Sequence, residues 1–435
     1  MLKNIALITI ENFNREYLGK SLLSEELVRK GFIVFLGHKS IIRVVAKLLK
    51  LKNCIFIDKG NRFGSLDRLK NISNNGQKIY LFDEEALMQT DYLNFLKRNH
   101  EKESIPYING VFSWGPKHSN LLVKAGYKNH QIIKLGNPRF DKYLIKKEFD
   151  YSDKCQDTIL ICSRFASANP NKIIKTELDK RDSSKSYIND CLEVLSIMIK
   201  MPRFLRENGI NNKILIRPHP SESLILWEES SKDLENVKVE FKGSINSLFA
   251  STSLLIHNRC TTSIEAFLNQ IPIISFEPIS LNSPPHPDID LFNSFSNYQC
   301  HNLKQIVKTI DKIKYENSTF KVDNQVNKYL YFSNEISSIK ISKLLDAQSK
   351  KISFQRICFY FLKIMFSLPL IFFRNNSLTL INRFNNFNDF KYKLQKNGEI
   401  PRTKLLKIKK DFFIISILKK INIYIPKLDF FIDKN

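Results

Sequence analysis

The alternation of short apolar runs with segments of helical length is the feature that most constrains the fold of this chain. Asn4–Ile10 and Phe32–Leu36 have the length of strands, and Leu18–Lys30 between them has the spacing of a helix that ends at Gly31. Thr158–Cys162 opens a second series of the same kind. Strands that are joined by helices predict βαβ units and parallel sheets, so we expect an α/β protein.

The two series predict two Rossmann-like lobes, over residues 1–150 and 151–348, followed by a third segment over 349–435. We expect the lobes to face a cleft, because ligands of parallel sheets bind beyond the carboxyl ends of the strands. The first strand is not followed by GxGxxG, so a dinucleotide-binding fingerprint is absent. The seven cysteines are scattered without a CxxC pair, and we expect neither a metal nor a cofactor.

The positive charge of the chain is concentrated in the third segment. The whole sequence has a net charge of +25, and its last 85 residues contain 17 Lys and Arg, 5 Asp and Glu, and 13 of the 33 Phe. A segment that is both basic and rich in phenylalanine fits an anionic membrane surface better than nucleic acid. No nucleic-acid-binding motif is found either, so we expect no nucleic-acid partner.

Two stretches of this tail favour a membrane. Phe354–Phe373 has the length of a membrane span, but Lys363 near its middle makes spanning costly. Lys404–Ile425 mixes apolar residues with lysines, as a helix lying in the membrane interface does. We expect a helical, membrane-associating tail, and the alternatives are a true span or helices packed on the lobes.

Three consecutive carboxylates follow a predicted strand of the first lobe. Asp83, Glu84 and Glu85 come directly after KIYLF. If they face the cleft, like-charged neighbours would raise the pKa of one of them, which could then act as a general base. The alternative is a solvated helix N-terminus, where acidic residues are favourable.

Two motifs of the second lobe favour phosphate binding. RPHP (217–220) places Arg217 and His219 at a strand end, with His219 between two prolines. HNRCTTSIEA (257–266) runs from a strand into a helix whose first residues are rich in hydroxyl groups. The alternatives are a rigid turn with a capping His and simple N-capping. The candidate phosphate- and nucleotide-binding residues are Arg217, His219, Pro220, Asn258, Arg259, Thr261, Thr262, Ser263 and Glu265.

Two further loops carry weaker signals. GNPRFD (136–141) is turn chemistry at the end of the first lobe, and as a crossover it would place Asn137 and Arg139 near the cleft. The proline-rich loop 283–290 carries His286 and Asp288, which could reach a sugar. The alternatives are a plain linker turn and an ordered surface loop.

In this order the motifs resemble those of bacterial CMP-sugar glycosyltransferases of GT-B architecture, the sialic acid and Kdo transferases. More closely, they resemble the bacterial surface carbohydrate biosynthesis protein family, in which DEEG, WG, GNPRFD, RPHP and HNRCTT-x-EA recur. Here these motifs are residues 83–86, 114–115, 136–141, 217–220 and 257–266, within roughly residues 1–345. Ala86 stands where Gly is usual, and a methyl group there is unfavourable if that position needs a positive φ.

The resemblance implies that Asp83, Glu84 or Glu85 serves acceptor activation or catalysis. It also implies that His219 contacts the nucleotide phosphate and that the turn 261–263 binds the nucleotide. GNPR and RPHP together also resemble teichoic-acid polymerases that use CDP-glycerol.

We therefore expect a peripheral glycosyltransferase at the cytoplasmic face of the inner membrane, acting in capsule or lipopolysaccharide assembly. Its donor would be a CMP-activated ulosonic acid, and its acceptor a glycan or lipid-linked glycan. The alternatives are a CDP-glycerol-type glycerophosphotransferase and a catalytically inactive glycan-binding or scaffold protein.

Overall fold

The computed structural model describes two compact units. It covers residues 4–48, 50–84, 86, 100–141, 157–171, 185–240, 245–278, 289–315, 326–331, 333, 335–353, 355–356, 358–360, 362–363 and 421–424. Unit 1 contains the described residues up to 141 and those from 327 onward, and unit 2 contains the described residues between 157 and 326. The chain therefore leaves unit 1, forms unit 2, and returns.

In the described part of unit 1, seven strands form one sheet: β1 (Asn4–Ile10), β2 (Phe32–His38), β3 (Ile55–Asp58), β4 (Lys78–Leu81), β5 (Gly110–Phe112), β6 (Ile132–Ile133) and β13 (Ile421–Tyr424). Their order is β13-β2-β1-β3-β4-β5-β6, and all neighbours are parallel except β13 and β2. The helices are α1 (Phe13–Arg29), α2 (Lys39–Leu48), α3 (Leu66–Asn74), α4 (Pro116–Lys124) and α10 (Ser337–Gln348).

Apolar side chains on both faces of this sheet explain why the strands are continuous hydrophobic runs. All seven residues of β1 are buried. Ile5 and Leu7 pack into one core cluster, and Ala6 and Ile8 pack into the cluster on the opposite face. A parallel sheet that is covered on both faces requires this composition. Gly31, with φ 92°, follows the end of α1 as the sequence predicts.

Unit 2 contains a sheet of six described strands, all parallel, in the order β12-β11-β10-β7-β8-β9. The strands are β7 (Thr158–Cys162), β8 (Lys213–Arg217), β9 (Val237–Val239), β10 (Thr252–His257), β11 (Ile273–Phe276) and β12 (Tyr298–Cys300). The helices are α5 (Lys185–Glu207), α6 (Ile225–Ser231), α7 (Thr262–Leu268), α8 (Ile289–Ser294) and α9 (Leu303–Tyr315). The predicted α/β class is confirmed in both units.

The return segment belongs to unit 1. Ile341 and Leu345 of α10 lie in the same core cluster as Leu23 and Leu27 of α1. The second lobe was expected to extend to residue 348, but α10 packs on the sheet of unit 1. Its amphipathic pattern predicts a helix and carries no information about which sheet it covers.

The tail predictions fall mostly outside the described residues, which include only 355–356, 358–360 and 362–363 of the first stretch and 421–424 of the second. Tyr360 packs into the core of unit 1, whereas Phe359 is exposed. Ile421–Tyr424 was expected to be part of an interfacial helix, but it is a strand that pairs antiparallel with β2. Its INIY pattern alternates with a period of two, which suits a sheet edge. Within the described residues, no helix has the length and hydrophobicity needed to cross a membrane.

Candidate functional site

The strand order of unit 2 defines a switch point between β7 and β10. The chain enters the sheet at β7, continues on one side to β8 and β9, and then crosses to β10 on the other side. Ligands of such sheets bind outside the carboxyl ends of the strands at this crevice. The RPHP loop after β8 and the HNRCTT turn after β10 lie at the carboxyl ends next to it.

A buried carboxylate holds the RPHP loop in place. Glu222 accepts hydrogen bonds from the His219 backbone N–H (3.1 Å), the Phe165 N–H (2.8 Å), the Ser163 hydroxyl (2.8 Å) and the Trp227 indole N–H (3.2 Å). Burial raises the pKa of Glu222, and these hydrogen bonds oppose the shift. Glu222 thus fixes the loops after β7 and β8 to each other, a role that the sequence analysis missed.

His219 is presented at the surface in one tautomer. Its Nδ1 accepts a hydrogen bond from the Ser221 N–H (3.2 Å), so the neutral ring carries its proton on Nε2. His219 is exposed, whereas Arg217 and Pro220 are partly buried. Burial lowers the pKa of Arg217. An N–H donor and a guanidinium at the end of one strand are suited to phosphate oxygens.

Two residues of the HNRCTT turn are structural. His257 is fully buried, and its Nδ1 accepts from the Cys260 N–H (3.2 Å) while its Nε2 faces the Ser296 hydroxyl (3.1 Å). Burial and the nearby positive charge of Arg164 lower the pKa of His257 to about 3, so this ring is neutral. Asn258 donates to the Phe276 carbonyl (2.8 Å) and ties β10 to β11. These side chains shape the turn.

Arg259 is an internal ion-pair partner. Its Nε donates to Glu277 Oε2 (2.7 Å), and its Nη1 lies 3.4 Å from Asp190 Oδ2 of α5. Arg259 is 9% exposed and has a φ of 48°. We expected its charge to face a phosphate, but the structure pairs it with two carboxylates. Glu277 Oε1 remains buried without a hydrogen-bond donor among the described residues.

The hydroxyl residues of this turn divide into two kinds. Ser263 is fully buried and donates to the Cys260 carbonyl (2.9 Å), so it is an internal cap. Thr261 and Thr262 are partly exposed. Glu265 is buried one turn into α7. Of the predicted set, Thr261 and Thr262 are therefore the hydroxyls that remain accessible.

Arg164 is a candidate that sequence reasoning missed. It lies two residues after the end of β7, between the two predicted motifs in the sheet order, and it is partly exposed. Its charge acts on both His257 and Glu277, which places it near the carboxyl end of β10. The sequence signal that could have identified Arg164 was its position two residues after Thr158–Cys162, the first strand of the second series.

Two thiols also meet at this edge. Cys162 ends β7, and Cys260 lies in the turn after β10 with its Sγ 3.3 Å from Thr262 Oγ1. A hydrogen bond from Cys162 lowers the pKa of Cys260 to about 7, against the effect of burial. Both cysteines are free. The scattered spacing in the sequence concealed this pair.

In unit 1 the acidic motif is positioned by two histidines. Asp83 follows β4 and is 7% exposed, and its Oδ2 lies 3.2 Å from His118 Nε2 and 3.4 Å from His100 Nε2. His118 Nδ1 accepts from the Trp114 N–H (3.2 Å), so Nε2 is the donor to Asp83. We expected a raised pKa in this triplet. Burial alone would raise the pKa of Asp83, but the two imidazoles outweigh burial and hold it well below the ordinary value.

The backbone of the acidic loop also differs from expectation. Asp83 has a φ of 43°, and Ala86 is absent from the described residues with positive φ. The Ala86 N–H donates to the Asp83 carbonyl (3.1 Å) and closes a turn. A buried, non-glycine residue in the left-handed region is strained, and such strain is found at functional sites. The alanine therefore does not occupy the strained position.

Glu84 is committed to a buried lysine. Lys20 of α1 is 3% exposed and donates to Glu84 Oε1 (3.0 Å), Glu16 Oε2 (2.8 Å) and the Thr9 carbonyl (2.9 Å). Burial alone would lower the pKa of Lys20, but the two carboxylates raise it above its ordinary value. Glu84 thus stabilises the site through its buried ion pair with Lys20, and Asp83 is the more accessible of the two carboxylates. Glu85 lies outside the described residues.

The GNPRFD loop (136–141) is hydrogen bonded to the segment in which the chain returns to unit 1. Asn137 Oδ1 accepts from the Arg139 N–H (2.9 Å), and the Asp141 carboxylate accepts from the N–H groups of Ser337 (2.8 Å) and Ser338 (2.7 Å). The Arg139 guanidinium lies 5.9 Å from the centre of the Trp114 ring, and Trp114 donates to the Phe82 carbonyl (3.2 Å). This loop therefore supports the segment that carries Asp83.

His286 and Asp288 of the proline-rich loop lie outside the described residues.

Together, these strand orders and sites define an α/β protein of the GT-B-like fold class. Protein-family models and curated protein sequences show no match to the chain. Among solved structures, it is similar to UDP-GlcNAc 2-epimerase from Methanocaldococcus jannaschii, with a TM-score of 0.52 and 12% identity over 80% of this chain and 100% of that chain. A Listeria monocytogenes structure, named as a UDP-N-acetylglucosamine 2-epimerase, has a TM-score of 0.52 and 10% identity over 81% of this chain and 100% of that one.

A structure of the wall teichoic acid polymerase TagF also matches, with a TM-score of 0.45 and 12% identity over 79% of this chain and 89% of that chain. At such identities, the two matches with TM-scores above 0.5 establish the fold and assign no activity.

Proposed function

We propose that this protein is a nucleotide-sugar-dependent glycosyltransferase of bacterial surface polysaccharide assembly. Unit 2 would bind the donor, and the Asp83 site of unit 1 would serve the acceptor. The observation that carries the proposal is the set of cationic, N–H and hydroxyl groups at the switch point of unit 2, together with the Asp83 carboxylate at a positive φ in unit 1. The two epimerase structures of the same fold are named for a nucleotide sugar, which supports this donor class.

The donor phosphate would be held by Arg164, Arg217 and the Nε2–H of His219, with help from the hydroxyls of Thr261 and Thr262. Charge-assisted hydrogen bonds to phosphate are strong and directional. The unpaired Oε1 of Glu277 could accept a hydrogen bond from a hydroxyl of the donor. Pro220, Asn258, Ser263 and Glu265 would keep these groups in place.

Asp83 would act on the acceptor hydroxyl. As the acceptor oxygen attacks the anomeric carbon, its proton passes to the carboxylate, and the bond to the phosphate breaks with its electron pair on the leaving nucleotide. If configuration is retained, the same carboxylate could be the nucleophile. Both roles require an ionised Asp83, which fits a pKa that two imidazoles hold below the ordinary value.

The finer proposal is a CMP-activated ulosonic acid as donor, which rests on the order of the motifs. A CDP-glycerol-type glycerophosphotransferase is the alternative enzyme, and an inactive scaffold is the alternative of another class. Association of residues 349–435 with an anionic membrane belongs to the same proposal and rests on their charge and phenylalanine content.

The test is to titrate CMP, CDP-glycerol, UMP and UDP into the full-length protein, and then to measure nucleotide release from a panel of CMP-sugars. We expect CMP to bind more tightly than UMP. H219Q and R164Q should each weaken nucleotide binding about tenfold, since each removes a charge-assisted or directional phosphate contact.

K213Q is the matched control, because Lys213 is exposed at the opposite end of the same strand, β8. It should leave binding unchanged. Tighter binding of UMP would overturn the cytidine assignment. A protein that binds none of these nucleotides would overturn the enzyme proposal itself.

A further inference from the structure

Unit 1 has a switch point of its own, separate from the Asp83 loop. The chain begins at β1, forms β2 on one side, and then crosses to β3 on the other side. The crevice beyond the carboxyl ends of β1 and β3 is therefore the position where a sheet of this topology binds a ligand. The function proposed above uses no residue there.

Cationic side chains gather at this crevice. They come from the start of α2, the loop after β3 and the start of α3, all at the carboxyl edge of the sheet. The members of this basic cluster are Lys39, Arg43, Lys59, Arg62 and Arg68.

Two carboxylates anchor the basic cluster. Asp58, at the end of β3, accepts hydrogen bonds from Arg43 Nε (3.0 Å) and Arg43 Nη2 (2.9 Å) and lies 3.3 Å from Arg68 Nη2. Glu11, directly after β1, pairs with both Lys39 and Lys59. These four cations retain between 9% and 30% of their side-chain exposure, so they are drawn in toward the sheet rather than extended into water.

Like charges crowd together in the cluster, although carboxylates lie around it. Besides Glu11 and Asp58, Glu101 acts on Arg68 and Glu16 acts on Lys39. Burial and the charges of Arg43 and Arg62 lower the pKa of Lys39, as expected where like charges crowd together. The buried Nε of Arg68 has no hydrogen-bond acceptor among the described residues. An anion would relieve the crowding of like charges and give the Arg68 Nε–H an acceptor.

We propose that this basic cluster binds an acidic group of the acceptor, a phosphate or carboxylate on a saccharide. The inference rests on the proposed function in assigning the acceptor to unit 1. An acidic acceptor would be attracted by the crowded cations, and the planar guanidinium of Arg68 can donate to phosphate and to carboxylate alike.

The position of the cluster suits a role in orienting the acceptor. β3 and β4 are neighbours, with Asp58 in register with Leu81, two residues before Asp83. Adjacent strands lie about 5 Å apart, so the strand ends that carry the two sites are neighbours in the sheet. The loop after β3 is also connected to Asp83 through Asn61, the Tyr127 hydroxyl and His100, with contacts of 3.0 and 3.1 Å.

The test compares two double variants of the full-length protein. K39Q/R62Q removes two charges of the cluster and leaves the Arg43–Asp58 pair intact. K128Q/K134Q removes two exposed charges beside β6, the strand at the opposite edge of the sheet from β2. Trigalacturonate, inorganic tripolyphosphate and phosphatidylglycerol vesicles are titrated into each protein.

We expect K39Q/R62Q to weaken trigalacturonate or tripolyphosphate binding about tenfold, with about twofold or less for the control pair and unchanged vesicle binding. Equal weakening in both pairs, or none, would overturn the site. Loss of vesicle binding alone would overturn the saccharide and indicate a lipid headgroup.

CMP titration of the same variants separates the two proposals. CMP binding should be unaffected by K39Q/R62Q. If the wild type fails to bind CMP while the acid probes still discriminate between the variants, the donor assignment fails and the basic cluster stands.

Discussion

At the scale of single residues, Asp83 and Glu84 are neighbours in sequence but have different environments in the fold. The triplet 83–85 was recognisable after its strand, but its members could not be ranked from sequence. Their environments come from distant residues: Asp83 meets His100 and His118, whereas Glu84 meets Lys20. No local pattern contains those pairings.

Replacing Asp83 by asparagine should abolish turnover and preserve the fold. Asparagine tolerates the positive φ of this position better than other non-glycine residues, and it can still accept from His118. We expect nucleotide release to fall by about 100-fold or more, as for loss of a general base, with CMP binding unchanged.

E84Q is the contrasting variant. It leaves Lys20 buried with one fewer carboxylate, so its main effect should be on stability, by about 3 kcal/mol in a denaturant titration. If D83N retains full turnover, Asp83 has no catalytic role. If neither wild type nor D83N shows turnover with any donor, the scaffold alternative is favoured.

At the scale of elements, the sequence was most informative where burial is two-sided. The strands β1, β2 and β7 were predicted to within two residues because parallel, covered strands are continuous apolar runs. The placement of α10 was not predictable. Its attachment depends on Asp141, whose partners are 196 and 197 positions away.

Replacing Asp141 by alanine should loosen α10. Two buried backbone N–H groups would lose their acceptor, and loss of such a cap costs about 0.5–2 kcal/mol. Hydrogen exchange of the first turn of α10 should accelerate, and the midpoint of unfolding should fall.

D141N is the matched control for this cap. Burial raises the pKa of Asp141, so the ionised carboxylate costs free energy in the folded state. The amide oxygen of asparagine has no charge and can still accept one of the two hydrogen bonds. D141N should therefore fall between wild type and D141A. Equal exchange rates in all three proteins would show that the cap does not hold the helix.

At the scale of the whole molecule, buried titratable groups set the response to acid. His257 has a pKa of about 3, below the ordinary value for histidine. As pH falls below about 6.5, the unfolded chain takes up a proton at this residue while the folded chain does not. The contribution of His257 to the free energy of unfolding is therefore present at neutral pH and is lost progressively as the pH falls toward 3.

H257N isolates this contribution, because an asparagine amide does not titrate. Between pH 7 and pH 5, wild type should lose about 2 kcal/mol more unfolding free energy than H257N, measured by urea titration at each pH. Glu222 and Glu277, whose raised pKa values act in the opposite direction, are present in both proteins and cancel in the difference. Parallel pH profiles would contradict the assignment of a neutral, buried His257.

The return of the chain at residue 327 has a consequence for inheritance and engineering. Within the described residues, unit 2 is one continuous insertion, and Asp141 before it is hydrogen bonded to Ser337 and Ser338 shortly after it. The two segments of unit 1 that flank the insertion are thus spatial neighbours. On the proposed assignment, the donor module could be exchanged between homologues as a single cassette through two nearby junctions, whereas dividing the chain into front and rear halves would sever unit 1 from α10.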